Sequence, residues 1–218
     1  MNYRSFGHAT LQDLLSPEQL KNALRLKANT LTSCYLENLG NGTFKMYPLP
    51  NYAQVSAING MVVDDFDGDG NLDLAINGNY YGTNVSVGRY DALNGLLLKG
   101  DGKGGFKPLT ILQSGICFPG DGKALVKLKG KDNRYYLAAS EHNGSLKLLK
   151  LNIPAKTIKI EPQDAYAEVS AKDGSVTKQE FYYGSSFLSQ SARFLKISPD
   201  VQKVKIVSND GRCREIKL

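Results

Sequence analysis

Between Asp64 and Asp73 the chain reads DDFDGDGNLD, placing five carboxylates and two glycines in ten residues. Asp65, Asp67, Asp69 and Asp73 occupy positions 1, 3, 5 and 9 of the pattern D-x-D-G-D-G-x-x-D. Alternate spacing lets short side chains converge on one point, and Gly68 and Gly70 let the backbone curl sharply. The main-chain carbonyl of Asn71, at position 7, adds a neutral oxygen. An all-oxygen set of this kind suits Ca2+, whereas Mg2+ asks for a stricter octahedron. Left uncompensated, the charge is costly. Two carboxylates about 4 Å apart repel by on the order of 4 kcal/mol at an effective dielectric near 20. Cation binding and local folding are therefore expected to be coupled.

The loop begins like an EF-hand and ends differently. Position 12, where an EF-hand carries a bidentate Glu, is Ile76, and LDLAIN reads as a strand. Other chemistry finds less support. GDGKGG and PGDGKA lack the G-x-x-x-x-G-K-[ST] phosphate cradle and read as turns. The serines of GSSFLSQS, Ser185 to Ser191, have no G-x-S-x-G elbow, and His8 and His142 are isolated. No catalytic constellation is visible, so a non-enzymatic role is expected. The long connection from Asn77 to Gly95 carries Tyr80, Tyr81, Arg89, Tyr90 and Asp91, a set suited to contacting a glycan or a peptide.

The elements that must position these residues are mostly strands. CYLENLGNGTFKMYPL recurs as LLLKGDGKGGFKPL at an offset of 62 residues, with Leu36 on Leu98, Gly40 on Gly102 and Phe44 on Phe106. Carried into the acidic loop, the offset puts Asp65 on Lys127, Asp67 on Lys129 and Asp69 on Lys131, so the second unit keeps the turn without the cation ligands. A weaker echo sets Asn143 and Gly144 on Asn41 and Gly42, so that residues 137–151 would open a further repeat. Ahead of the repeats, SPEQ at Ser16 to Gln19 is a capping box that predicts a helix of about three turns, with TLQDLL forming a shorter turn before it. After an Ile153–Pro154 turn, five strands are expected within Ala165–Ser170, Val176–Tyr183, Arg193–Ile197, Val201–Val207 and Arg212–Leu218.

The formal net charge is +6, but the lysines are dispersed among apolar residues, as on solvated strand faces, which argues against a nucleic-acid partner. Cys34, Cys117 and Cys213 are far apart and form no CxxC pair, so buried thiols are expected. No apolar run reaches the roughly 18 residues of a membrane span. The first residues lack the apolar core of a signal peptide.

FDGDGNLDLAI and the GNGTFK turn resemble FG-GAP/VCBS repeats, the blade unit of integrin-α-like β-propellers. YYGSSFLSQSARFLKI followed by VQKVKIVSNDG is similar to an ASPIC/UnbV module, with Ser208-Asn209 in place of that family's Trp-Pro pair. The resemblance implies a mainly β fold: a helical lead segment over 1–30, propeller-like blades over 31–160 and a small β module over 161–218. It implies that the acidic loop (Asp65, Asp67, Asp69, Asn71, Asp73) holds Ca2+ for structural reasons, and that the protein serves adhesion or ligand capture at a bacterial surface or in the periplasm. Two to three blades do not close a ring that takes four to eight. The chain is therefore expected to continue into a longer propeller or to self-associate. An accessory or catalytic carbohydrate domain acting through Tyr80–Asp91 is the alternative.

Overall fold

The computed structural model describes residues 2–131, 134–152 and 156–218. Contacts divide the chain into a lead segment ending at Thr32 and a second unit, Ser33–Leu218. The lead segment holds three short helices, α1 (Tyr3–His8), α2 (Leu11–Leu14) and α3 (Pro17–Leu20). Each starts from a capping box, including the expected Ser16–Gln19 pair. The three-turn helix is a correction, because α3 stops at Leu20. No residue of the three helices is buried, and isolated helices of this length gain too little from propensity to propagate.

The second unit is mainly β. It opens with the hairpin β1 (Cys34–Gly40) and β2 (Thr43–Pro48). Its two-residue turn places Asn41 and Gly42 at φ 52° and 73°, the backbone that an Asn-Gly hairpin turn requires. Four strands follow in sequential antiparallel order, β3 (Ile58–Asp64), β4 (Asp73–Gly78), β5 (Leu96–Gly100) and β6 (Phe106–Leu109). After the short helix α4 (Ile111–Ser114) comes a three-stranded sheet of β7 (Gly122–Lys129), β8 (Tyr135–Glu141) and β9 (Lys147–Lys150). Next, β10 (Lys156–Lys159) pairs with β13 (Phe194–Ile197). The last sheet runs β12 (Val176–Glu180), β11 (Asp164–Ala171), β14 (Val201–Ser208), β15 (Cys213–Lys217). All pairings are antiparallel, and no sheet closes into a barrel among the described residues. The five C-terminal strands fall where the alternation in sequence predicts them. The Ile153–Pro154 turn lies outside the described residues.

Hairpin and sheets are stacked, and the middle sheet is covered on both faces. All six residues of β4 are buried. On one face Leu74, Ile76 and Leu98 share a core with Tyr35 of the hairpin and with Leu49, Ala53 and Leu93. Tyr35 lies over Tyr47 at 5.0 Å and meets Phe106 edge-on at 5.7 Å. On the other face Val62, Ala75 and Leu97 pack with Leu125, Leu137 and Ala139 of the next sheet. Complete burial of each such aliphatic side chain contributes about 1.5–3 kcal/mol. Between these sheets Gly60 cannot carry a side chain: a Cβ there would stand 2.6 Å from the Leu125 nitrogen.

The ladders correct the register of the repeat. Val62 pairs with Ala75 in the first sheet, and Val126 pairs with Ala138 in the second. Matching these pairs moves the offset from 62 in the hairpins to 64 in β7 and 63 in β8. Asp65 thus corresponds to Lys129. Lys127 and Lys129 are strand residues paired with Leu137 and Tyr135, so two of the three lysines set against the acidic loop lie in β7 and only Lys131 falls in the turn. The stretch 137–151 does not open a further repeat, because it supplies β8, β9 and the turn between them. The cysteines are corrected too: Cys117 and Cys213 are exposed and Cys34 is half-buried, with no disulfide among the described residues.

Candidate metal centre

β3 and β4 end on the pair Asp64–Asp73, and the acidic loop spans the gap between them. Its own amides shape it. Asp65 accepts from the N–H groups of Gly68 (2.6 Å) and Gly70 (3.2 Å). Asp67 accepts from the N–H of Asp69, and Asp69 from that of Asn71. Gly68 and Gly70 sit at φ 84° and 88°, where a Cβ would be strained. Asp73 is almost wholly buried and fixes two neighbours, accepting from Phe66 N–H and from Gly100 N–H, each at 2.9 Å. One oxygen from each of Asp65, Asp67 and Asp73 lies within 4.8 Å of the others, a grouping that could hold a metal ion.

Asp69 is outside that grouping and is taken up by Lys99 of β5, whose ammonium lies 2.9 Å from it and also contacts Asp67. The Asn71 side-chain oxygen rests against the Gly102 turn. Two further lysines come from other sheets. Lys127 of β7 stands 2.7 Å from Asp64, and Lys196 of β13 donates to the Asp65 carbonyl, 3.9 Å from its carboxylate. Lys127 also lies over the Phe194 ring at 5.0 Å.

The electrostatics follow this layout. Burial pushes the Asp73 carboxyl above its ordinary value, against the pull of the Gly100 and Phe66 N–H groups, and the Asp67 and Asp69 charges push the same way. The Asn71 N–H, followed by the Lys99 ammonium, holds Asp69 below the usual carboxylate range. Lys99 is raised by its hydrogen bonds to Asp67 and Asp69. The Tyr135 hydroxyl is buried without a partner among the described residues, and burial followed by the charges of Asp64, Asp65 and Asp73 raises it. The donor set of three carboxylates is hard and all-oxygen, a chemistry suited to a hard metal ion. Lys99 and a cation would compete for Asp67.

The Tyr80–Asp91 loop is closed at its neck. Tyr80 and Tyr90 exchange backbone hydrogen bonds at 2.8 and 3.0 Å, and Arg89 lies over the Tyr81 ring at 4.7 Å. Tyr80, Tyr81, Arg89 and Tyr90 are thereby brought together, with both bridge tyrosines and Asp91 exposed. The serines of GSSFLSQS finish a strand edge: Ser186 and Ser191 accept from the N–H groups of Leu125 and Lys127, and Ala192 N–H donates to Lys127.

Sequence reasoning missed three asparagines. Asn59 donates to the carbonyls of Asn79 and Gly122, Asn77 to Ala124, and Asn79 to Leu93 and Gly120. Their amides tie the end of the first sheet to the start of β7 and to the loops at 93 and 120, each donating to backbone carbonyls. The available signal was Asn77-Gly78-Asn79 directly after an apolar strand, which reads locally as turn punctuation.

No protein-family model and no curated protein matches this chain.

Proposed function

We propose that the chain is a calcium-stabilised, non-enzymatic binding or adhesion module of FG-GAP/VCBS-like, propeller-type repeats with an ASPIC/UnbV-like C-terminal module, working within a larger surface or exported bacterial protein. The observation that carries this reading is the convergence of Asp65, Asp67 and Asp73 within 4.8 Å at a strand-to-strand turn. The surface or periplasmic setting and the binding role rest on the resemblance of FDGDGNLDLAI and GNGTFK alone. In this reading the cation cancels the carboxylate repulsion and ties the β3–β4 turn to β5 through Asp73. It contributes no chemistry to a reaction.

Calcium titration of the full chain by calorimetry tests the site. At a hundredfold excess over Kd the ion is expected to stabilise the fold by about 2.7 kcal/mol. For a domain of this size that is a rise in Tm of roughly 5–10 °C. Asp67→Ala is expected to abolish both the heat and the shift. Unchanged affinity and Tm in that variant overturn the assignment.

A second reading has an observation of its own. The exposed Tyr80 and Tyr90 with Arg89 over Tyr81 make an aromatic surface suited to a sugar ring or peptide. Binding on a glycan array without turnover supports ligand capture there. Product release lost in Asp91→Ala supports a carbohydrate-acting domain instead.

A further inference from the structure

The stack of hairpin, first sheet and second sheet repeats one relationship twice. Tyr35 and Tyr47 face forward onto the first sheet. Their counterparts Leu97 and Leu109 face forward onto the second. Leu98 faces back and is fully buried beneath the hairpin side, whereas its counterpart Leu36 is 60% exposed. Phe44 and Met46 lie on the same hairpin face, across the ladder from Asn38 and Leu36, and are 62% and 50% exposed. Within Ser33–Leu218 the rear face of the hairpin is thus uncovered, and among the described residues β1 pairs with β2 alone.

The other end of the stack is bare on the complementary side. The forward-facing pair Ala75–Leu97 of the first sheet is matched in the second by Ala138–Leu148. Leu148 is 56% exposed, and Leu128 on the same face is exposed as well. One chain therefore carries, at opposite ends, both halves of an interface it already makes internally. Contiguous exposed apolar faces of this kind mark association surfaces.

We propose that copies of this chain stack head to tail, the rear hairpin face around Leu36 and Phe44 of one copy packing on the forward face around Leu128 and Leu148 of the next. The contact is heterologous, so it closes into a ring or runs on as a filament according to the rotation per copy. Edge-to-edge pairing of two β1 strands is the competing arrangement. It is isologous and leaves both apolar faces in water. The stacking does not depend on the acidic loop.

Sedimentation velocity of the full chain across rising concentration, with Leu36→Lys and Leu148→Lys variants, tests the proposal. Wild type is expected to grow in mass with concentration. Each variant has one dead face and is expected to lose that growth and stay monomeric. An equimolar mixture retains one good rear face and one good forward face, and is expected to form a dimer and nothing larger. Both side chains are exposed, so an unchanged melting temperature verifies the fold, and Phe44→Lys replaces Leu36→Lys if that variant misfolds. A wild type that stays monomeric, a Leu148→Lys variant that associates like wild type, or a mixture that stays monomeric overturns the proposal. So does association only with a different protein.

Discussion

Lys127 projects from β7 to set its ammonium 2.7 Å from the carboxylate of Asp64, at the end of β3 in the neighbouring sheet. Both side chains are largely withdrawn from solvent, at 12% and 7% exposure. Truncating one member of such a pair strands the other charge and costs about 3–5 kcal/mol. Lys127→Ala is expected to lose that much in urea unfolding. The double variant Lys127→Met, Asp64→Leu is expected to recover most of it. A double variant as unstable as the single one would show that packing, not charge, governs the position.

Lys99 holds Asp67, a carboxylate that the proposed cation would also use. Lys99→Gln removes the competing ammonium from Asp67 and Asp69, and solvent screens exposed pairs of this sort strongly. On the proposed calcium reading, affinity by calorimetry is therefore expected to rise, by no more than about fivefold. Asp69→Asn should leave affinity far closer to wild type than Asp67→Ala, because Asp69 stands outside the converging set. Equal losses in both variants would place Asp69 in the shell after all.

Asp164 is a buried carboxylate expected to contribute to the acid limb of stability. Burial raises its carboxyl, but the bidentate Arg214 guanidinium at 2.7 and 2.6 Å and the Glu161 N–H more than offset this, leaving it below the ordinary value. A depressed folded-state pKa means that the stabilisation is complete above the unfolded carboxyl value, about 3.9, and is lost as pH falls through the folded one. Asp164→Asn is expected to flatten the fall in Tm below about pH 4, at the cost of about 3 kcal/mol near neutrality. An unchanged acid limb in the variant would assign that limb to other carboxylates.

Gly60 sets how closely β3 approaches β7. An added Cβ would meet the Leu125 nitrogen at 2.6 Å and its Cβ at 2.8 Å, and would also collide with the Asn77 amide. Gly60→Ala is expected to cost about 1–3 kcal/mol by overpacking. Because Asn77 donates across the same gap to Ala124, the loss should show as faster exchange of the β7 amides. A variant with wild-type Tm would mean that the sheets can part without penalty.

What the sequence revealed and concealed divides along physical lines. The GNG turn and the alternating C-terminal strands rest on local rules of turn geometry and period and are found in the structure; of the five expected cation ligands, Asp65, Asp67 and Asp73 converge, whereas Asp69 and Asn71 do not join them. The register of β7 was concealed because a one- or two-residue slip leaves composition unchanged while moving every side chain to a new partner. Lys127 therefore read as a lost ligand, when it is the counter-charge to Asp64. The asparagines were hidden for a similar reason: an amide that satisfies distant carbonyls and one that marks a turn are written with the same letter. The lead helix failed at Leu20 because its capping signal has no packed face behind it.

The complete burial of β4 has a kinetic corollary. With paired strands on either side and cores above and below, its amide protons have no local route to water. Their exchange in deuterated solvent should proceed only when the whole Ser33–Leu218 unit opens, which makes Leu74 to Ile76 an internal gauge of its global free energy.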